Sequence, residues 1–97
     1  MTDAFAALAD PHRRAILTML AGGDRSVREI ADALPISRPA VSRHLRLLGE
    51  AGLVDAEPRG RQRLYRLQDE GVEAVRAYVE TVWGEAAARF KLVADNL

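Results

Sequence analysis

The 97-residue chain contains no cysteine, which excludes disulfides, thiol chemistry and cysteinyl metal sites. It also lacks an apolar run long enough to span a membrane, and its N-terminus has no signal-peptide pattern. We therefore expect a cytoplasmic protein. No Ser/His/Asp or Cys/His constellation, phosphate-binding glycine loop or metal-ligand cluster is visible, so the sequence does not indicate an enzyme.

An excess of charge of either sign is also absent, since 14 basic side chains balance 14 acidic ones. The distribution is nevertheless uneven. Residues 37–66 hold seven arginines against three acidic residues, whereas residues 67–97 hold six acidic residues against three basic ones. A basic middle segment can bind phosphates locally while the whole chain stays soluble.

The length and composition fit one globular domain over residues 1–97, with 48% hydrophobic and 29% charged residues. A domain of this size buries a modest core, so a dimer interface would add useful burial.

The most informative segment runs from Ser37 to Gly52. Ser37 is a suitable N-cap and Gly52 a suitable left-handed stop, so we expect a helix of about four turns between them. At about 100° per residue, one arc of this helix is apolar and the other is basic. The apolar arc holds Ala40, Val41, His44, Leu45, Leu47, Leu48 and Ala51. The outer arc holds Arg38, Pro39, Ser42, Arg43, Arg46 and Glu50.

The basic arc has the donors that DNA recognition requires. Arginine can donate to phosphate oxygens and, bidentately, to O6 and N7 of guanine. The same pattern would also fit an ordinary amphipathic helix with a solvated charged face. The neighbouring segments favour the first interpretation.

Three shorter helices are predicted before Ser37. The first spans about Thr2–Ala9, and the second begins after Asp10 as N-cap and runs from about Pro11 to Ala21. The third starts at a capping box, Ser26-Val-Arg-Glu29, and lasts about two turns. Two short helices joined by a short turn, the second with a basic outer face, form a helix-turn-helix.

A β-hairpin is predicted after Gly52. Its strands are Leu53–Glu57 and Arg63–Leu67, around the basic tip Pro58–Gln62. The sequence does not determine which residues of the two strands pair with one another. A hairpin directly after a helix-turn-helix is a wing, and arginines at its tip suit phosphates or a narrow minor groove. The alternative is an arginine-rich turn that merely faces solvent.

A long final helix is predicted from about Glu70 towards Asp95, with Asp69 as its cap. Its apolar residues recur at intervals of three and four, close to a coiled-coil seam. They are Val72, Val75, Val79, Val82, Ala86, Phe90 and Val93, flanked by Tyr78 and Trp83. So small a core can hardly cover the whole stripe. We therefore expect it to pack partly on a second subunit, the alternative being that the helix folds back on its own domain.

The fold class that follows is mainly α, a winged helix with about five helices and a two-stranded hairpin in the order α-α-α-α-β-β-α. This arrangement resembles the winged-helix repressors of the ArsR type (ArsR/SmtB-like). The resemblance is carried by residues 5–17, 37–48, 50–54 and 60–65. It spans nearly the whole chain and weakens after about Arg76.

The resemblance implies a homodimeric bacterial transcriptional repressor whose recognition helices enter successive major grooves of double-stranded DNA. The operator would then be an inverted repeat. The candidate DNA-binding residues are Ser37, Arg38, Pro39, Ser42, Arg43, Arg46, Arg59, Arg61 and Arg63. The first and last helices would form the dimer interface, with the candidates Phe5, Leu8, Val75, Val79, Val82, Trp83, Ala86 and Phe90.

The chain departs from the metal-sensing members of that family. It has neither their cysteines before the recognition helix nor their paired Asp and His ligands on the last helix, which contains no histidine. A carboxylate-only site on Glu73 and Glu80 would suit zinc, nickel or copper poorly. His12 and His44 are interpreted as packed or capping side chains. We therefore expect no metal and no cofactor.

The preferred function is sequence-specific DNA binding with repression by promoter occlusion, without a metal effector. Members of this kind resemble autorepressors, or regulators of an adjacent operon whose effector is absent or unknown. The alternative is a winged helix that binds acidic protein surfaces through its arginines.

Overall fold

The computed structural model describes residues 3–95, apart from the side chains of Ala87, Phe90 and Lys91. Within that range, five helices and one antiparallel hairpin follow one another in the predicted order, which confirms the winged-helix fold class. The elements are α1 (Ala4–Ala7), α2 (Pro11–Ala21), α3 (Val27–Ala33), α4 (Arg38–Glu50), β1 (Val54–Arg59), β2 (Gln62–Leu67) and α5 (Asp69–Asp95). Among these residues, no helix combines the length and the apolar composition needed to cross a bilayer.

Polar caps fix where α2, α3 and α4 begin. The Asp10 carboxylate accepts the backbone N–H groups of His12 and Arg13 at 2.8 and 3.1 Å. Ser26 and Glu29 form both halves of the predicted capping box. These bonds satisfy N–H groups that a helix leaves unpaired in its first turn. α2 runs from Pro11 to Ala21 after its Asp10 cap, so its predicted start and end are confirmed.

α1 is shorter than the predicted helix over Thr2–Ala9. It occupies four residues after an Asp3 cap, and Thr2 lies outside the described residues. A helix this short is not stable alone. Two arginines of α2 hold it: Arg13 Nε donates to the carbonyl of Ala7 at 2.7 Å, and Arg14 donates to that of Leu8 at 2.8 Å.

The core forms where α2, α3 and α4 meet. The largest fully buried side chains are Ile16, Ile30, Val41, Leu45 and Leu48. On α4, the buried and half-buried residues are those of the predicted apolar arc, and the residues of the predicted outer arc are exposed. The helix is therefore anchored by one face, and its arginines face solvent.

The hairpin has longer strands and a narrower turn than predicted. Arg59 pairs with Gln62, so the turn contains only Gly60 and Arg61, and Pro58 lies within β1 rather than at the tip. Gly60 has φ +63°, a left-handed value that suits a glycine at the first central position of a two-residue hairpin turn. Pro58 is tolerated because an edge strand can leave its missing N–H on the solvent side.

The wing is also joined to the segment before α3. Arg25 and Tyr65 exchange two backbone hydrogen bonds, of 3.0 and 2.7 Å, in an isolated antiparallel bridge. The pair holds β2 beside the helix-turn-helix. The wing and the N-terminal ends of α3 and α4 are therefore held near one another.

The final helix begins at Asp69 itself, so the prediction that Asp69 precedes the helix as its cap is wrong by one residue. Its 27 residues correspond to a length of about 40 Å. The first turn lies against the end of α4 through Gly52 and Gly71. This contact joins the rest of the domain to α5, the helix that carries the apolar stripe.

Candidate nucleic-acid interface

The outer face of α4 is exposed and positively charged. Arg38, Arg43 and Arg46 point away from the core, and Pro39 and Ser42 are exposed between them. The opposite face is locked by the buried Val41, Leu45 and Leu48 given above. Because one face is fixed by packing, the helix presents its guanidinium groups in a defined direction.

Ser37 joins this face at the start of α4. Its hydroxyl oxygen accepts the backbone N–H of Ala40 at 3.2 Å, as the sequence predicts for an N-cap. A hydroxyl group has one proton to donate besides its acceptor sites. Ser37 can therefore cap the helix and still donate to a phosphate or a base.

The arginines of the chain fall into two groups according to their partners. Seven are held by hydrogen bonds or ion pairs to carbonyls or carboxylates, namely Arg13, Arg14, Arg25, Arg59, Arg66, Arg76 and Arg89. The side chains of the other six form no hydrogen bond or ion pair with any residue in 3–95, namely Arg28, Arg38, Arg43, Arg46, Arg61 and Arg63. All six lie on α3, α4 or the wing. Positive charge that is not neutralised internally is thus concentrated on one part of the molecule.

The strand register explains why the wing arginines differ. Side chains alternate between the two faces of a strand. Asp55, Glu57 and Arg59 therefore share one face with Arg66, which forms ion pairs with Asp55 at 3.6 Å and with Glu57 at 3.3 Å. Arg59 approaches Glu57 at 3.7 Å. Arg63 lies on the opposite face, which carries no acidic residue of β1.

The structure brings Arg63 close to α4. Arg63 lines one depression together with Arg38, and a second depression together with Ser42 and Arg46. Arg61 stands in the turn at the end of the wing. The helix and the wing thus form one continuous basic surface. Arg59, by contrast, belongs to the other face of the hairpin.

Sequence reasoning missed Arg28. It is exposed on α3 and lines the same depression as Arg38 and Arg63. A helix that precedes a recognition helix often crosses the DNA backbone, which is the signal that could have drawn attention to it.

His44 is the buried polar residue of α4, with only 5% of its surface exposed. Its Nδ1 lies 3.5 Å from the Arg13 guanidinium, and its ring centroid lies 5.9 Å from that of His12. Burial lowers the pKa of His44, as do the charges of Arg13 and Arg43, while Asp10 opposes the shift. The interpretation of His44 as a packed side chain is confirmed.

The carboxylates considered as a metal site are engaged with Arg76. Its guanidinium binds Glu73, with Nε at 3.0 Å from one carboxylate oxygen, and Glu80 at 2.6 Å. The hydrogen bonds from Arg76 hold the pKa of Glu73 below its usual value. Over residues 3–95, no group of three His, Cys, Asp or Glu side chains is placed to hold a metal ion.

The apolar stripe of α5 is largely uncovered in a single chain. Val79, Val82 and Trp83 are 46%, 49% and 52% exposed, and Ala86 is also exposed. Val75 and Leu8 are half-buried. The side chain of Phe90 lies outside the described residues. The stripe therefore does not fold back fully on its own domain.

Phe5 connects α1 to this stripe. Its ring packs edge-on against Tyr78, with centroids 4.8 Å apart, and Tyr78 packs edge-on against Trp83 at 6.0 Å. All three rings remain about half exposed. α1 and α5 thus present a shared apolar and aromatic surface.

The chain resembles known regulators over nearly its whole length. The model of the bacterial regulatory proteins of the arsR family matches residues 10–56. The HTH-type transcriptional regulator Rv2034 of Mycobacterium tuberculosis is 43% identical over 93 residues, which cover 96% of this chain and 87% of that protein. The transcriptional repressor SdpR of Bacillus subtilis is 39% identical over 67 residues, or 69% of this chain and 74% of that protein.

Solved structures agree with these matches. A crystal structure of a possible transcriptional regulator for arsenical resistance superposes with a TM-score of 0.79 at 40% identity, covering 98% of this chain and 97% of that one. The solution structure of a homodimeric winged helix-turn-helix DNA-binding domain from Mycobacterium bovis superposes with a TM-score of 0.69 at 36% identity. The match covers 84% of this chain and 76% of that one.

Proposed function

Because the chain belongs to the arsR family of bacterial regulatory proteins, we propose that it is a homodimeric transcriptional repressor that binds double-stranded DNA without a metal effector. One observation carries the proposal. The side chains of the three arginines of α4, of Arg28 on α3, and of Arg61 and Arg63 on the wing have no hydrogen-bond or ion-pair partner in residues 3–95, whereas those of the other seven arginines have one. Free guanidinium groups on an exposed helix are suited to phosphates and guanine edges.

The residues of the interface divide by position. In this proposal the N-terminal half of α4 reads bases and nearby phosphates through Ser37, Arg38, Pro39, Ser42 and Arg43. The second group contacts the backbone or the minor groove through Arg46, Arg59, Arg61 and Arg63. Arg59 is the weakest member of that group, because Glu57 partly neutralises it.

The dimer would form through α1 and α5, around the uncovered apolar and aromatic surface. Its proposed residues are Phe5, Leu8, Val75, Val79, Val82, Trp83, Ala86 and Phe90. A two-fold dimer with one recognition helix per subunit should select an inverted repeat with half-sites roughly 34 Å apart. Bound over a promoter, such a dimer in the cytoplasm would repress by occlusion, and we propose no enzymatic activity.

The experiment that tests this function is footprinting of the purified protein on the DNA just upstream of its own coding sequence. Protection of an inverted repeat there is expected, and it would also indicate autoregulation. Gel shifts with fragments of the whole genome extend the search to other operators. If no fragment forms a saturable, sequence-selective complex, the alternative applies, in which the arginines bind acidic protein surfaces.

A further inference from the structure

A basic cleft of about 400 Å³ lies between the helix-turn-helix and the wing. One wall is the N-terminal end of α3 with Arg28, and α4 contributes Arg38. The other wall is β2 and its turn, with Arg61 and Arg63. The volume is in the range of ligand clefts, about 300–1,000 Å³.

The charge in this cleft is of one sign. None of its lining residues is acidic, and its four guanidinium groups have no hydrogen-bond or ion-pair partner within residues 3–95. The nearest carboxylates along α3 do not change this. The Glu29 carboxylate accepts a 3.0 Å hydrogen bond from the backbone N–H of Ser26. Asp32 forms no ion pair with Arg28. A concave site with one sign of charge concentrates ions of the opposite sign.

The walls of the cleft are fixed relative to one another. The two backbone hydrogen bonds between Arg25 and Tyr65 join the segment before α3 to β2, and Tyr65 itself lines the cleft. The backbone of both walls is therefore already in place, and only the arginine side chains have to become ordered when a ligand enters.

We propose that this cleft holds one backbone phosphate of the DNA and that Arg28, together with Arg38 and Arg63, clamps it. The inference rests on the proposed function, because α4 must lie in the major groove. A strand that borders that groove then passes between the start of α4 and the wing. Arg28 contributes affinity for any duplex and no choice of base, since phosphate contacts carry no direct sequence information.

The test compares Arg28→Gln with Arg66→Gln in the full chain. Both variants remove one positive charge, but Arg66 lies on the other face of the wing and is held by two carboxylates. Affinity is measured against salt concentration, on the footprinted site and on a scrambled duplex. Arg28→Gln should reduce the slope of log affinity against log salt by about one per protomer, equally on both duplexes. Arg66→Gln should leave the slope within experimental error.

Two further measurements define the role of Arg28. Arg28→Lys should recover most of the slope, because an ammonium still binds phosphate as a point charge. Replacing chloride by inorganic phosphate at constant ionic strength should release DNA from the wild type more than from Arg28→Gln, because free phosphate competes for the same guanidinium groups. Equal release from the two proteins would mean that Arg28 does not hold a phosphate of the DNA and would overturn the inference.

The outcomes separate the inference from the function on which it rests. If the wild type binds DNA selectively and Arg28→Gln has the same salt slope as Arg66→Gln, the phosphate clamp is wrong but the proposed repressor function stands. If the wild type forms no saturable complex with any duplex, the proposed function itself fails, and the clamp with it.

Discussion

The carbonyl oxygen of Gly52 accepts a 2.8 Å hydrogen bond from the backbone N–H of Gly71. Gly52 follows α4 with φ +75°, and Gly71 is buried in the first turn of α5. A Cβ atom on Gly71 would overlap that carbonyl oxygen. The helix proposed to read DNA is thus joined to the helix proposed to form the dimer by direct backbone contact, with no side chain between them.

Gly71→Ala should therefore destabilise the chain by about 1–3 kcal/mol, the usual cost of overpacking, and should weaken DNA binding as α5 shifts against α4. Gly49→Ala is the matched control. Its added Cβ would lie 3.8 Å from the nearest atom, the carbonyl oxygen of Val54, so it should stabilise α4 by about 0.5–1 kcal/mol. Urea unfolding measures both. Equal stability of the two variants would show that the Gly52–Gly71 contact is not tight.

His44 predicts a pH dependence of stability. Burial lowers its pKa in the folded chain below the unfolded value of about 6.5. Between those two pKa values the unfolded chain binds more protons, so stability should fall as the pH drops below about 7 and level off below the folded pKa. The groups around the ring are Asp10, His12, Arg13 and Arg43.

The check is urea unfolding at fixed protein concentration from pH 5 to pH 8. His44→Gln should flatten the slope in that range, whatever its effect on absolute stability. His12→Gln removes the other, half-buried histidine and serves as the control. If the pH dependence of stability persists in His44→Gln and disappears in His12→Gln, it arises from His12 and the prediction is wrong.

Val79→Glu tests the proposed dimer interface. In a dimer that buries the stripe, the new carboxylate would be unpaired in an apolar seam, at a cost of several kcal/mol. Sedimentation at micromolar concentration should show a monomer or an unfolded chain. Ala77→Glu places the same charge on the opposite side of α5, about 160° away, and should remain dimeric. If Val79→Glu sediments as a folded dimer, the interface lies elsewhere.

Metal ions should have no effect on the complex with DNA. The chain has no thiol, its only imidazoles are His12 and His44, and the carboxylates of Glu73 and Glu80 already bind Arg76. Zinc, nickel, copper(I) and arsenite are titrated against the bound operator by fluorescence anisotropy. Release of DNA at a stoichiometric concentration, reversed by a chelator, would contradict the prediction.

Features that depend on local chemistry were predictable from the sequence. The caps at Asp10, Ser26 and Ser37 and the two arcs of α4 follow from side-chain type and helical period alone, and the structure confirms them. The turn of the wing was misplaced because proline is compatible both with a turn and with an edge strand. Pro58 adopts the second role.

Features that depend on distant residues were not predictable. The extent of α1 is set by Arg13 and Arg14, which belong to the next helix. The division of the wing arginines into paired and unpaired groups requires the register of β1 and β2, which the sequence left open. The position of Arg28 opposite Arg63 likewise requires the bridge between Arg25 and Tyr65.

The proposed roles of Arg43 and Arg61 can be separated by how each loss affects specificity. Arg43 lies on the exposed face of α4, and Arg61 lies in the turn of the wing. Loss of a base-reading arginine should cost about 1–3 kcal/mol per contact and relax the preference at particular base pairs. Loss of a phosphate contact should weaken binding to all sequences alike and reduce the salt slope by about one unit.

Arg43→Ala should therefore lose affinity mainly on the footprinted site, whereas Arg61→Ala should lose it equally on that site and on scrambled DNA. Affinity is measured against salt for both variants on both duplexes. Neither side chain has a hydrogen-bond or ion-pair partner in residues 3–95, so neither substitution removes such a bond from the fold. Equal losses on the two duplexes for Arg43→Ala, with base preference unchanged, would mean that α4 is not the reading element.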